Sequence, residues 1–272
     1  MTKTLEKILV LPGGLEISYT EQGDRTGPAL IILHGYTDSF RGSSRLMAHL
    51  PDWLRTIAIT LRGHGDSTKT ISTYRTDEHA RDVAAVMDAL ALNRAVIAGH
   101  SMGSMIAQRF AADFKERTAG LVLLGAFRTL RGHPVGEALW HETISQLVDP
   151  VAPEMVRAFQ TSTIEKPVPA AFLEMVIEES LKVPAFVWRA AARSWLEEDL
   201  AGVTENIAAP TLVLWGDRDG VASHEEQVAL ASTLRAELHV LRGIGHALHW
   251  EDPETVASLI TRFAQSAQRV AA

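Results

Sequence analysis

The chain contains no cysteine. Disulfides, thiolate nucleophiles and cysteine-held metals are therefore excluded from its chemistry. It has no block of basic residues, and its formal charge is −7, so nucleic acid is not an expected partner. No run of about 18 apolar residues occurs, and no membrane-spanning helix is expected. The opening "MTKTLEKILVLPGG" has too short an apolar stretch before its Pro-Gly turn for a secretory leader, which makes a cytoplasmic location the expectation. No internal repeat or low-complexity tract breaks the 272 residues. What remains is an ordinary globular composition, 46% hydrophobic and 22% charged, long enough for one α/β domain carrying an insertion.

Short apolar runs mark the strands. "KILVL" and "LEISY" flank Pro12-Gly13-Gly14 and read as a hairpin. Then come "ALIIL" (29–33), "TIAIT" (56–60), "AVIA" (95–98), "LVLL" (121–124), "TLVLW" (211–215) and "ELHVL" (237–241). None of these later runs alternates polar with apolar residues, as expected of parallel strands covered on both faces. Between them lie helical patterns. Val83, Val86, Met87 and Leu90 recur at helical spacing after an acidic first turn, and Val256, Leu259, Ile260 and Phe263 do so after Asp252-Pro253. Strands alternating with helices predict an α/β fold. From about Thr129 to Glu198 the alternation stops. Six of the eleven prolines fall there, cutting the segment into short helices, so a helical insertion between two strands is expected.

Four motifs carry chemistry. "GHSMG" (99–103) matches G-x-S-x-G between a strand and a helix, which would lift the Ser101 hydroxyl out on a sharp turn. A serine needs a base, and "LRGIGHALHW" offers His246 in a loop after a strand. His249 lies three residues on and reads as a half-buried or rim residue; with no H-E-x-x-H and no third ligand cluster, a metal site is not expected. His100 adjoins the serine but points elsewhere and supports the turn. The base needs a carboxylate, and "WGDRDG" holds two candidates, Asp217 and Asp219. His34-Gly35, just past a strand, leaves the N–H of Tyr36 free to stabilise an oxyanion.

In this order the motifs closely resemble the α/β-hydrolase superfamily over essentially the whole chain, through His34-Gly35-Tyr36, "LRGHGDS" (61–67), "GHSMG", "WGDRD" (215–219) and "GIGH" (243–246). The resemblance implies an α/β-hydrolase fold: a mostly parallel eight-stranded sheet with helices on both faces. Residues 1–128 and 199–272 would form the core, and 129–198 an inserted helical cap. It implies Ser101 as nucleophile, His246 as base, Asp219 rather than Asp217 as acid, and the N–H groups of Tyr36 and Met102 as oxyanion donors. A proline often follows the family acid by four residues; here that position is Ser223. A serine nucleophile suits acyl transfer, whereas dehalogenases and epoxide hydrolases of the superfamily use aspartate. The expected reaction is hydrolysis of a small-molecule carboxylic ester or lactone without cofactor or metal. Perhydrolysis with halogenation, carbon–carbon bond hydrolysis and a ligand-receptor role are the alternatives. The expected pocket lining is His34, Gly35, Tyr36, Met102, Phe127, Trp140, Trp195 and Val221.

Overall fold

A computed structural model describes residues 6–271. Eight strands form one sheet: β1 (Lys7–Val10), β2 (Glu16–Gln22), β3 (Ala29–Leu33), β4 (Arg55–Ile59), β5 (Ala95–His100), β6 (Thr118–Leu124), β7 (Thr211–Gly216) and β8 (Glu237–Leu241). Their spatial order is β1-β2-β4-β3-β5-β6-β7-β8. β1 and β2 form the antiparallel hairpin, β2 runs antiparallel to β4, and the remaining pairs are parallel. The helices are α1 (Ser44–Met47), α2 (Thr76–Ala89), α3 (Met102–Asp113), α4 (Pro134–Glu142), α5 (Pro153–Ser162), α6 (Ala170–Leu181), α7 (Ala185–Glu197), α8 (Ala201–Thr204), α9 (His224–Leu234), α10 (Leu248–Glu251) and α11 (Pro253–Ala271).

The missing alternation in the strands has a direct cause. Successive side chains of a strand point to opposite faces, and in β3 to β7 both faces are core; the edge strand β8, where Glu237-Leu238-His239-Val240 does alternate, is instead exposed at Glu237 and Val240. Ile31 and Leu33 of β3, Ile97 of β5 and Leu121 and Leu123 of β6 join one apolar cluster with α2 and α3. Leu30, Ile32, Val96, Val122 and Leu124 join the other, with α1 and α11. Each such side chain contributes about 1.5–3 kcal/mol on burial. The segment between β6 and β7 is helical, with α4 to α7 each starting at or just after a proline (Pro134, Pro153, Pro169, Pro184). Among the described residues, no helix is long and apolar enough to cross a membrane.

Register sets the position of the site. Leu33 of β3 pairs with Gly99 of β5, Gly99 with Leu123 of β6, and Gly216 of β7 with Leu241 of β8. The loops leaving β3, β5, β7 and β8 therefore gather at the carboxyl ends of the strands, where open α/β sheets bind ligands.

The core also holds histidines. Burial depresses the basicity of His34, His79 and His100 well below the ordinary range, that of His64 to about 4 and that of His249 to about 3. The unfolded chain takes up these protons near pH 6.5, so their contribution is fully present above that pH and is lost as the pH falls. For His64 alone the loss reaches about 3 kcal/mol by pH 4. Asp38, raised to about 8 by burial, and Asp82, also raised by burial, act in the opposite sense, two groups against five. Thermal melts should show Tm falling steadily between pH 7 and pH 5; a flat or rising Tm would contradict this balance.

Candidate active site

β5 ends at His100, and α3 starts two residues later. Ser101 between them has φ 53° and ψ −120°, a conformation that costs a side-chain-bearing residue about 1–3 kcal/mol. Its flanking glycines are required by contact. A Cβ on Gly99 would sit 2.1 Å from the Gly103 carbonyl oxygen, and one on Gly103 would sit 2.4 Å from that of Leu33. The turn thus closes only with glycine at both places. The Ser101 N–H donates to Leu124 O (3.0 Å). Its hydroxyl makes no hydrogen bond to the described residues and lines a cavity of about 340 Å³.

His246 lines the same cavity, with its side chain 4% exposed. Its Nδ1–H donates to Asp219 Oδ2 (2.8 Å), which leaves Nε2 as a lone-pair acceptor. The Asp219 carboxylate is fully enclosed; its Oδ1 accepts from the N–H groups of Val221 (2.8 Å) and Ala222 (2.9 Å). Asp217 is exposed and does another job: its Oδ1 accepts from Gly243 N–H (2.6 Å), tying the loop after β7 to the loop before His246. Ser223, where a proline often stands, N-caps α9 by accepting from Glu226 N–H. His246 and Ser101 are not hydrogen-bonded to each other here. Such bonds often tighten only around substrate.

Gly35 lets the loop after β3 approach the serine turn: a Cβ there would lie 2.8 Å from His100 Nδ1 and 3.4 Å from Ser101 Cβ. The N–H groups of Tyr36 and Met102 have no protein acceptor among the described residues, and both residues line the cavity. Met102 opens α3, so its N–H is one of the unpaired donors at the helix's positive end. The Tyr36 ring stands edge-on to Phe159, Trp188 and Trp195, and its hydroxyl donates to Trp188 O (2.6 Å). Leu130, Leu139, Met155 and Val221 extend the apolar wall.

The pocket lining differs from the sequence expectation at three residues. His34 is not on the cavity; it is 1% exposed, donates through Nδ1 to Gly35 O and accepts the Leu61 N–H at Nε2, bracing the loop from below. Phe127 is packed in the core, its carbonyl accepting from Gln108 Nε2. Trp140 lines a different hollow, under the guanidinium of Arg193 (5.5 Å). His249 is fully in the interior rather than half-buried, against His100 (ring centroids 4.5 Å). Among the described residues no group of three or more His, Asp or Glu is placed to hold a metal ion.

Three residues that the sequence did not single out for these contacts support the site. His100 donates through Nε2 to the carbonyl oxygen of His246 (3.0 Å). Glu251 gathers the N–H groups of Gly245 (3.0 Å), Lys166 (2.8 Å) and Glu165 (3.2 Å), tying the His246 loop to the α5–α6 connection. Gln160 links α5 to Thr37, next to Tyr36. Apart from the short reach of Glu251 to Gly245, these contacts join residues far apart in sequence.

A protein-family profile described as alpha/beta hydrolase fold matches residues 28–171. The AB hydrolase superfamily protein YisY of Bacillus subtilis is 29% identical over 248 residues, 88% of this chain and 92% of its own. The 2-hydroxy-6-oxononadienedioate/2-hydroxy-6-oxononatrienedioate hydrolase of Burkholderia vietnamiensis is 27% identical over 265 residues, 92% and 91% of the two chains. Among solved structures, an esterase from Exiguobacterium antarcticum superposes with a TM-score of 0.85 at 22% identity, covering 96% of this chain and 100% of that one.

Proposed function

Since the chain belongs to the alpha/beta hydrolase fold family, we propose that it is a serine hydrolase of carboxylic esters or lactones. One observation carries the reading: the strained Ser101 and the Asp219–His246 pair, joined at 2.8 Å, open on one small cavity.

In the proposed reaction His246 Nε2 takes the Ser101 hydroxyl proton as Oγ attacks the ester carbonyl. The tetrahedral oxyanion accepts from the Tyr36 and Met102 N–H groups, each such donor being worth about 2.7–4 kcal/mol in the transition state. Asp219 holds the imidazolium in place. The C–O bond to the alcohol breaks, His246 passes the proton to the departing oxygen, and the acyl group stays on Ser101. Water then repeats the sequence: His246 removes its proton, the acid leaves, and the serine regains its hydrogen. Residues 129–198 act as the cap that shapes specificity, since α4, α5 and α7 supply Leu139, Met155, Phe159 and Trp195 to the wall.

Carbon–carbon hydrolysis of the kind named for the Burkholderia vietnamiensis relative is the second reading. The cavity argues against dicarboxylate substrates, because among the described residues no Lys or Arg lines it. Initial rates on aryl esters and lactones of graded acyl length, set beside cleavage of a vinylogous diketone and peroxide-dependent halogenation, test the choice. Esters or lactones should be turned over fastest. Faster diketone cleavage or halogenation would overturn the proposal.

A further inference from the structure

Three hydroxyls at the cavity wall are already committed to the protein. The Tyr36 hydroxyl donates to Trp188 O, that of Ser162 to Phe159 O, and that of Thr163 to Gln160 O. Gln160 differs. It sits on the last full turn of α5, is 2% exposed and lines the cavity. Its Nε2 donates to Ser180 Oγ (2.7 Å) and to Thr37 Oγ1 (3.3 Å). Ser180 gives its own hydrogen to Val176 O (3.0 Å) and therefore offers Gln160 a lone pair. This chain of donors fixes which end of the amide is nitrogen. The other end, Oε1, has no partner among the described residues, yet it is not among the fully enclosed polar atoms. With so little of the residue exposed, the accessible oxygen opens into the cavity it lines.

An amide oxygen that faces a largely apolar cavity without a protein donor keeps its lone pairs free to accept one from a ligand. The amide stands beside Thr37, to which its Nε2 donates, next in sequence to the Tyr36 oxyanion donor. Its surroundings carry little net charge. Glu179, adjacent to Ser180, is paired with Arg41 (3.2 Å) and Lys182 (2.8 Å). Burial keeps the neighbouring Asp38 carboxyl protonated up to about pH 8. An ammonium group would find no counter-charge there; a neutral O–H or N–H would.

We infer that Gln160 is a specificity-determining residue whose Oε1 accepts a hydrogen bond from a hydroxyl or amide N–H on the substrate. The inference rests on the ester-hydrolase reading of Ser101. The preferred substrate is then not a plain alkanoyl ester but one bearing a neutral hydrogen-bond donor on the group lying toward Thr37.

The test compares kcat/KM for aryl esters whose acyl chains carry, at one matched carbon, hydrogen, hydroxyl, methoxy or acetamido. The hydroxy or the acetamido ester should exceed both the unsubstituted and the methoxy ester by about tenfold or more, because a site built around a hydrogen bond rejects the partner lacking it. Methoxy keeps the oxygen and the bulk but cannot donate, and the hydroxy and acetamido arms separate the two donor types. Gln160→Met should bring that ratio to within about twofold of unity. If that variant fails to fold, the wild-type ratios alone decide. Turnover of all four esters at similar rates, or a donor preference that survives Gln160→Met, would overturn the inference while leaving the hydrolase reading intact. No turnover of any ester, with Ser101 unreactive toward a fluorophosphonate, would defeat both.

Discussion

Asp219→Asn should lower kcat by about 10⁴-fold, and the hydrogen bonds show why. The N–H groups of Val221 and Ala222 both donate to Asp219 Oδ1. An asparagine must therefore keep its oxygen on that side and turn its NH₂ toward His246. His246 Nδ1 then has to accept rather than donate, which moves the ring proton to Nε2, the atom meant to receive the serine proton. The imidazole is left in the wrong tautomer without a charge partner. Asp217→Asn keeps an oxygen able to accept from Gly243 N–H, and its kcat should stay within about threefold of wild type, since Asp217 does not touch the imidazole. Steady-state kinetics on one aryl ester rank the two variants. The reverse ranking would move the acid to Asp217.

Ser101→Ala should be as damaging to turnover and nearly silent in stability. Removing the nucleophile of a concerted triad costs about 10⁴–10⁶-fold in kcat, with a residue left over from the oxyanion donors. The Ser101 hydroxyl has no hydrogen bond to lose among the described residues, and alanine inherits the same backbone angles. The variant's stability should match wild type to within about 0.5 kcal/mol in urea unfolding. Loss of activity with retained fold separates a reacting serine from a capping one; substantial turnover by the alanine variant would contradict the assignment.

Strands buried on both faces announce themselves, because their central residues are apolar without alternation; β3 and β7 lie where "ALIIL" and "TLVLW" placed them. β6 starts earlier than its apolar run, at Thr118, since Ala119-Gly120 carries too little side chain to show a strand, and Gly120 is held tight against the Phe263 ring. The serine turn was readable because its glycines are forced by contacts within a few residues and with the adjacent strand. The pocket wall was not. Trp140 and Leu139 are neighbours on α4, but a helix turns about 100° per residue, so Leu139 meets the cavity and Trp140 faces the Arg193 hollow. Which face of an inserted helix looks inward depends on where the whole helix docks. The His34 and Phe127 expectations failed for a related reason: each lies on a loop beside the site, and a loop residue's direction follows from backbone turns that composition does not encode. Glu251 and Gln160 act through contacts across 86 and 123 positions of chain, beyond the reach of any local pattern.

The central claim is that Ser101 forms a covalent bond to the acyl group. The most direct measurement is reaction of the intact protein with a fluorophosphonate, followed by mass spectrometry of its peptides. A single adduct on Ser101 is expected, formed in step with loss of ester hydrolysis and absent from Ser101→Ala. An adduct on another residue, or full inactivation with Ser101 unmodified, would contradict it.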